Sequence, residues 1–356
     1  MPAVRNNILQ TILTKPAFQF LLQRYRGAAT LRLQQQCGCV MRILSVAALT
    51  VIFAATAHAA GISEIRIDYA TYNPLSLVLK EQKILEKAFE KDGISIVWVQ
   101  SLGSNKALEF LNASSIDFGS TAGAAALLGR LSGNPIKSVY VYSRPEWTAL
   151  VTRPDTGISK VSDLKGKRVA VTRGTDPHIF LVRALAENGL TGKDIAVIPL
   201  QHQDGRAALE RGDVDAWAGL DPMMAGAEIN SGAILFYRKP EANTWGILNV
   251  RESFAAEHPE IVKRVLAAYE EARAWAIAHP EELKRLFAAF TKLPDAVVTR
   301  QLERTDFSSA AIGEPQRGSI LAAGLALQEA GVIAADADVR AATASLMDGR
   351  YFTGSK

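Results

Sequence analysis

Residues 168–189 read RVAVTRGTDPHIFLVRALAENG, and this stretch decides the fold. Arg168–Thr172 is a short run with β-branched residues, the pattern of a buried strand. Gly174-Thr-Asp-Pro then breaks the strand and opens a helix. Thr and Asp suit the cap, and Pro suits the first helical position. Pro177–Glu187 carries apolar residues at helical spacing, and Gly189 stops it. Strand, tight turn and helix make up half of a βαβ unit. Such units imply parallel strands joined by crossover helices.

The pattern continues on both sides. Downstream, Ile195–Leu200, Val214–Ala218 and Ala233–Tyr237 read as strands, and Gly205–Arg211 and Pro222–Ile229 as helices. Upstream, Glu64–Tyr69 alternates like a strand, and Ser76–Lys91 reads as a helix ended by Gly93. Ile94–Gln100 (strand), Asn105–Ala113 (helix), Ile116–Gly119 (strand), Ala122–Leu131 (helix) and Ile136–Tyr142 (strand) follow. Each half is βαβαβαβ. Leu111–Phe118 (LNASSIDF) resembles Leu209–Ala216 (LERGDVDA), each after the second helix of its half, which suggests duplication. From Ser253 onward the chain reads as helical.

The expected fold class is α/β, with two similar lobes. Each lobe is a mainly parallel sheet flanked by helices, and a two-segment hinge joins them. The expected crossings are Tyr142–Pro154 and Trp245–Val250. Lobe I takes residues 61–145 plus 248–356 with the C-terminal helices, and lobe II takes 146–247.

Residues 1–60 hold six cations and no acid. Val40–Ala60 (VMRILSVAALTVIFAATAHAA) has a positive start at Arg42, an apolar core and an Ala57-His58-Ala59 cleavage pattern. Residues 41–59 are therefore expected to be a signal peptide that sends the chain to the periplasm. Residues 1–40 are expected to be an upstream extension, or a mis-called start with Met41 as the true one. Without the first sixty residues, 34 cations face 36 acids, so no basic excess invites nucleic acid. Both cysteines, Cys37 and Cys39, fall in the same stretch, which leaves no thiol chemistry beyond it.

Catalytic signatures are scarce. The chain lacks a G-x-S-x-G elbow, an H-E-x-x-H helix, a P-loop and a dinucleotide fingerprint. His178, His202, His258 and His279 are scattered without ligand spacing. The expectation is a binding protein with no enzymatic activity, no cofactor and no metal.

In doubly wound sheets, ligands sit beyond the carboxyl ends of strands, where helices begin with free N–H groups. Four such turns recur: Leu102-Gly-Ser-Asn, Ser120-Thr-Ala-Gly, Arg173-Gly-Thr-Asp and Gly219-Leu-Asp-Pro. If the halves face each other, these four starts line one cleft suited to a small anion or zwitterion. Ser104, Ser120, Thr175, Asp176 and Asp221 also read as plain helix caps. Arg173 either meets a ligand anion or ends a strand in solvent, and His178 either meets ligand or packs. Tyr72 and Asn73 follow the first strand, where Asn73-Pro74 is a turn signal. Trp245 and Asn249 lie on an expected crossing. Trp217, Phe254, Tyr269 and Trp275 read as core.

These segments resemble the periplasmic substrate-binding proteins of ABC importers, in the aliphatic sulfonate, taurine and nitrate group. The resemblance rests on Val161–Thr172 (VSDLKGKRVAVT), Gly174–His178, Gly212–Trp217 (GDVDAW), Asp221-Pro222 and Leu111–Gly119. It implies a two-lobed protein that closes on an oxyanion, with a permease and an ATPase as partners. Carried over by position, ligand contacts fall on Tyr72, Ser104, Asn105, Ser120, Thr121, Gly174, Thr175 and Asp221. The chain departs from the pattern at Asp68–Thr71, Gly123-Ala124 and Leu220. Asp176 and Asp221 would oppose an anion unless they cap their own helices or meet an amine. Two rivals remain. One is a pyrimidine-synthase-like enzyme of thiamine metabolism using His178 or His202, and the other is a sensory ligand-binding module.

Overall fold

A computed structural model describes residues 62–352. The expected signal peptide, the stretch before it and both cysteines lie outside the described residues. Among the described residues no helix is long and apolar enough to cross a membrane.

The first half runs β1 (Glu64–Tyr69), α1 (Pro74–Glu81), α2 (Ile84–Phe89), β2 (Ser95–Gln100), α3 (Ser104–Asn112), β3 (Phe118–Ala122), α4 (Gly123–Leu131) and β4 (Ile136–Pro145). The second runs β5 (Leu150–Thr152), β6 (Arg168–Val171), α5 (Asp176–Glu187), β7 (Ala196–Pro199), α6 (His202–Arg211), β8 (Ala216–Ala218), α7 (Met223–Ser231) and β9 (Ile234–Tyr237). The chain returns through β10 (Gly246–Arg251) to α8 (Glu252–Glu257), α9 (Pro259–Ala278), α10 (Pro280–Thr291) and α11 (Asp295–Glu303). It ends with β11 (Thr305–Asp306), α12 (Glu314–Glu329) and α13 (Val339–Leu346).

Two sheets result, ordered β2-β1-β3-β10-β4-β11 and β7-β6-β8-β5-β9. In the first, β1 is parallel to β2 and β3, and β10 lies antiparallel between β3 and β4. In the second, β6 is parallel to β7 and β8, and β5 lies antiparallel between β8 and β9. Counting β10 ahead of β1, the two sheets have the same strand order.

The internal match is structural as well. The Asp117 N–H donates to the Arg66 carbonyl (2.7 Å), and the Arg66 N–H to Asp117 Oδ2 (2.8 Å). The Asp215 N–H donates to the Arg168 carbonyl (2.9 Å), and the Arg168 N–H to Asp215 Oδ2 (2.8 Å). Asp117 and Asp215, at the same position of the two motifs, thus tie the third parallel strand of each sheet to the first.

Burial alternates along the second sheet, as a covered sheet requires. Leu150, Val169, Val171, Ala216 and Ala218 belong to one apolar cluster, and Val151, Ala170 and Trp217 to another. Trp217 and Tyr269 are fully buried and Phe254 nearly so, whereas Trp275 is only half-buried.

Two expectations need correction. Tyr142–Pro145, Leu150–Thr152 and Gly246–Val250 are strand residues, not hinge. Gly246–Val250 is buried throughout, because the strand lies inside the sheet between β3 and β4. The chain crosses between sheets at residues 146–149 and 238–245. The crossings run side by side, since Asn243 Oδ1 accepts from the Thr148 N–H (2.9 Å). Ser76–Lys91 is also not one helix. Lys83 adopts a left-handed φ of 54° between α1 and α2. Leu79 and Ile84 are five residues apart, off a single helical stripe, and the break lets both reach the core.

Candidate functional site

The site lies where α3, from the first sheet, and α5, from the second, begin. Their starts line a cavity of about 190 Å³ with Tyr72, Ser104, Trp147, Thr175, Asp176, Pro177 and Leu220 on its walls. The backbone N–H groups of Ser104, Asn105, Thr175 and Asp176 find no acceptor among the described residues. Ser104 Oγ accepts from the Ala122 N–H (3.0 Å), so its own proton remains to be donated. Thr175 donates its hydroxyl to the Thr172 carbonyl (2.6 Å). Gly174, at φ +74°, makes the left-handed step before α5, and half-buried Asn105 lies across from it.

Only two of the four expected helix starts are free. At α4, the Gly123 N–H donates to the Trp245 carbonyl (2.9 Å) and the Ala124 N–H to Thr244 Oγ1 (3.2 Å). At α7, the Ala225 N–H donates to Asp221 Oδ1 (2.8 Å), and the Met224 N–H to the Leu220 carbonyl (2.9 Å). The returning crossing fills the first, and Asp221 caps the second.

Asp176 does not face a ligand with a bare carboxylate. Its Oδ2 accepts from Trp147 Nε1 (2.8 Å) and the Thr244 N–H (3.0 Å), and its Oδ1 from Thr244 Oγ1 (2.6 Å). Trp147 belongs to one crossing and Thr244 to the other, so one side chain of α5 ties both. Burial raises the Asp176 pKa against these hydrogen bonds. Asp221 is equally committed: its Oδ2 accepts from Arg304 Nη1 (3.4 Å). Burial pushes its pKa up to about 7, and Arg304 opposes that rise. Arg304 also donates to Glu228, which Arg300 pairs as well.

Asn73, Ser120, Thr121 and Asn249 are buried in the first half and do not line this cavity. Asn73 caps α1 and donates to Ser120 Oγ (2.8 Å). Asn249 donates to Thr121 Oγ1 (2.7 Å) and accepts from Ser138 Oγ (2.7 Å). Trp245 is half-buried, with Arg144 over its ring at 5.3 Å. Arg173 is exposed and finds no hydrogen-bond or ionic partner among the described residues. His178 is half-buried, and burial and then Arg173 lower its pKa.

Beneath the cavity, the fully buried Asp68 accepts from Ser101 Oγ (2.6 Å), the Ser120 N–H (2.8 Å) and Ser120 Oγ (2.9 Å). Tyr72 donates its hydroxyl to the Ser120 carbonyl (3.0 Å) and packs edge-on against Trp147. Burial pushes the Asp68 pKa up to about 6. With the folded value above the unfolded 3.8, its contribution to stability is full below about pH 4 and is lost as pH rises to about 6. Asp68→Asn, which cannot titrate, is expected to remove that slope from urea-unfolding free energies. A slope that persists in the variant assigns it elsewhere.

Sequence reasoning missed Trp147 as a wall residue. It is 3% exposed, and its signal was an aromatic beside a crossing. Leu220 and Pro177 add apolar wall. The cleft therefore offers neutral donors at one end and apolar surface at the other, which can hold an oxyanion carrying a small apolar group. Among the described residues no cluster of three His, Cys, Asp or Glu could hold a metal ion.

The NMT1/THI5 like family model matches residues 88–283. An Escherichia coli (strain K12) relative named for binding aliphatic sulfonates is 30% identical over 237 residues, covering 66% of this chain and 74% of its own. The alkanesulfonate-binding protein SsuA from Xanthomonas axonopodis pv. citri, bound to MOPS, superposes with a TM-score of 0.74 at 25% identity. That match covers 81% of this chain and 98% of the other. The periplasmic aliphatic sulphonate binding protein SsuA from Escherichia coli gives 0.69 at 26%, over 83% and 95%. All three are named as binding proteins rather than enzymes, and the two-sheet α/β fold is that of the two solved structures.

Proposed function

The chain belongs to the NMT1/THI5 like family, and we propose that it is the solute-binding component of an ABC importer, working in the periplasm. It captures a small organic anion, foremost an aliphatic sulfonate, between the halves and hands it to a permease driven by an ATPase. One observation carries this reading: free N–H groups of α3 and α5, one helix from each sheet, line a single cavity. Two helix starts bring about half a positive charge each, with no fixed cation on the cavity wall. Such a site favours a dispersed anionic charge. Tyr72, Trp147, Pro177 and Leu220 then contact the organic group. Donors from both halves meet one anion only when the halves close, so ligand favours the closed state.

Trp147 makes this measurable. Ethanesulfonate, taurine and nitrate are titrated against intrinsic fluorescence and thermal unfolding. A binding sulfonate at a hundredfold its Kd is expected to raise Tm by roughly 5 °C. Trp147→Phe is expected to lose most of the fluorescence change. Silence of the whole panel in both measurements removes this ligand class.

A further inference from the structure

A second meeting point of the halves lies beside the cavity. Gly103 is the residue before α3, and His202 is the first residue of α6. A Cβ at Gly103 would fall 2.8 Å from Asn105 Oδ1 and 3.0 Å from His202 Nε2. The Gly103 φ of 162° is extended backbone that any residue adopts, so what glycine supplies here is space. An imidazole from the second half therefore rests on the bare backbone of the first.

The groups that meet there are dry. His202 is 1% exposed, and neither of its ring nitrogens has a partner among the described residues. Asn105 Oδ1 is buried and equally without a partner. Each such group costs about 1–3 kcal/mol when left unsatisfied. The imidazole N–H and the amide oxygen approach one point and are complementary as donor and acceptor. No hydrogen bond joins them in this structure, but both face the space beside the Gly103 backbone. Burial holds the ring neutral, with its pKa down to about 3, so a hydrogen bond to Asn105 needs no charge on the imidazole.

We propose that His202 is a positioning residue for closure, seating on Gly103 and hydrogen-bonding Asn105 when the halves come together. It holds α3 and α5 at the spacing their shared anion needs, without touching the ligand. This rests on the binding reading above for its purpose, but not for its test.

The test measures the distance between the halves. Spin labels on Leu102→Cys and Asp204→Cys, both exposed positions flanking the contact, report it by pulsed electron resonance in the full chain, with Cys37 and Cys39 replaced by serine. The probe ligand is ethanesulfonate. A short-distance population is expected in the parent, and His202→Leu should lower its ratio to the open form about fivefold. His202→Gln, neutral and hydrogen-bonding, should retain it, and Gly103→Val should abolish it by propping the halves apart. The melting temperature of the open, ligand-free protein should not move. A parent with no short-distance population overturns the proposal. So does a His202→Leu variant that keeps the population, since packing alone then suffices. If ethanesulfonate changes nothing but the variants still shift the ligand-free distribution, the contact stands and the sulfonate reading falls.

Discussion

Asp176→Ala is expected to destabilise the protein by about 2–5 kcal/mol and to weaken ethanesulfonate binding at least about a hundredfold. The substitution strands the Trp147 indole N–H and the Thr244 N–H, both buried and with no other acceptor placed to take them. Because these donors sit on different crossings, their release loosens the pivot as well as the wall of the cavity. Asp176→Asn can keep its oxygen on the two N–H donors and turn its N–H₂ toward the Thr244 hydroxyl, at the loss of the charge, so it should fall between parent and alanine. Urea unfolding and calorimetric titration check both effects. Parent-like affinity in the alanine variant would show that the pivot works without this carboxylate.

Arg304→Met is the second large loss. Arg304 is 6% exposed at its side chain and faces Asp221, at 1%, and Glu228. Removing the cation leaves a buried carboxylate without its counter-charge, which typically costs about 3–5 kcal/mol. That full cost is expected at pH 8, where Asp221 in the parent is ionised. The Asp221 pKa is already raised by burial to about 7, and loss of Arg304 raises it further. A folded pKa above the unfolded value gives stability that is present at low pH and lost as pH rises. The deficit of the variant should therefore shrink below pH 7, as Asp221 takes up a proton. Arg304→Met with Asp221→Asn should recover much of the loss at pH 8. A deficit independent of pH would assign the damage to packing around the arginine stem.

The fold was legible because its units are local. Val169–Val171, Gly174 and Pro177 mark strand, turn and helix within a dozen residues, and each marker acts through its own backbone preference. The strand order was less legible. Leu150–Thr152 and Gly246–Arg251 follow crossings in sequence, and only the sheets they enter give them their place. Ser104 and Thr175 stand at helix starts, as their turns suggest, but neither side chain caps its helix: one accepts from Ala122 and the other donates to Thr172. The fates of Asp176 and Asp221 could not be read. What turns them from the ligand is Thr244 and Trp147 in one case and Arg304 in the other, residues far away in the chain. The sequence pattern had posed that alternative for both acids, and Asp221 does cap its own helix. The sequence pattern places Asn249 on a crossing between the halves. Inside a sheet, its amide is a cross-strand tie.

All five strands of the second sheet come from one uninterrupted stretch, Leu150–Tyr237, whereas the first sheet is assembled from both sides of it. The smaller half is a cassette set into the larger, entering and leaving by neighbouring threads. Exchanging that cassette with a relative's would import a foreign α5 into a native partner surface and leave every strand of the first sheet in place. Recombination at two junctions would thus exchange one side of the cavity wall without rebuilding the scaffold.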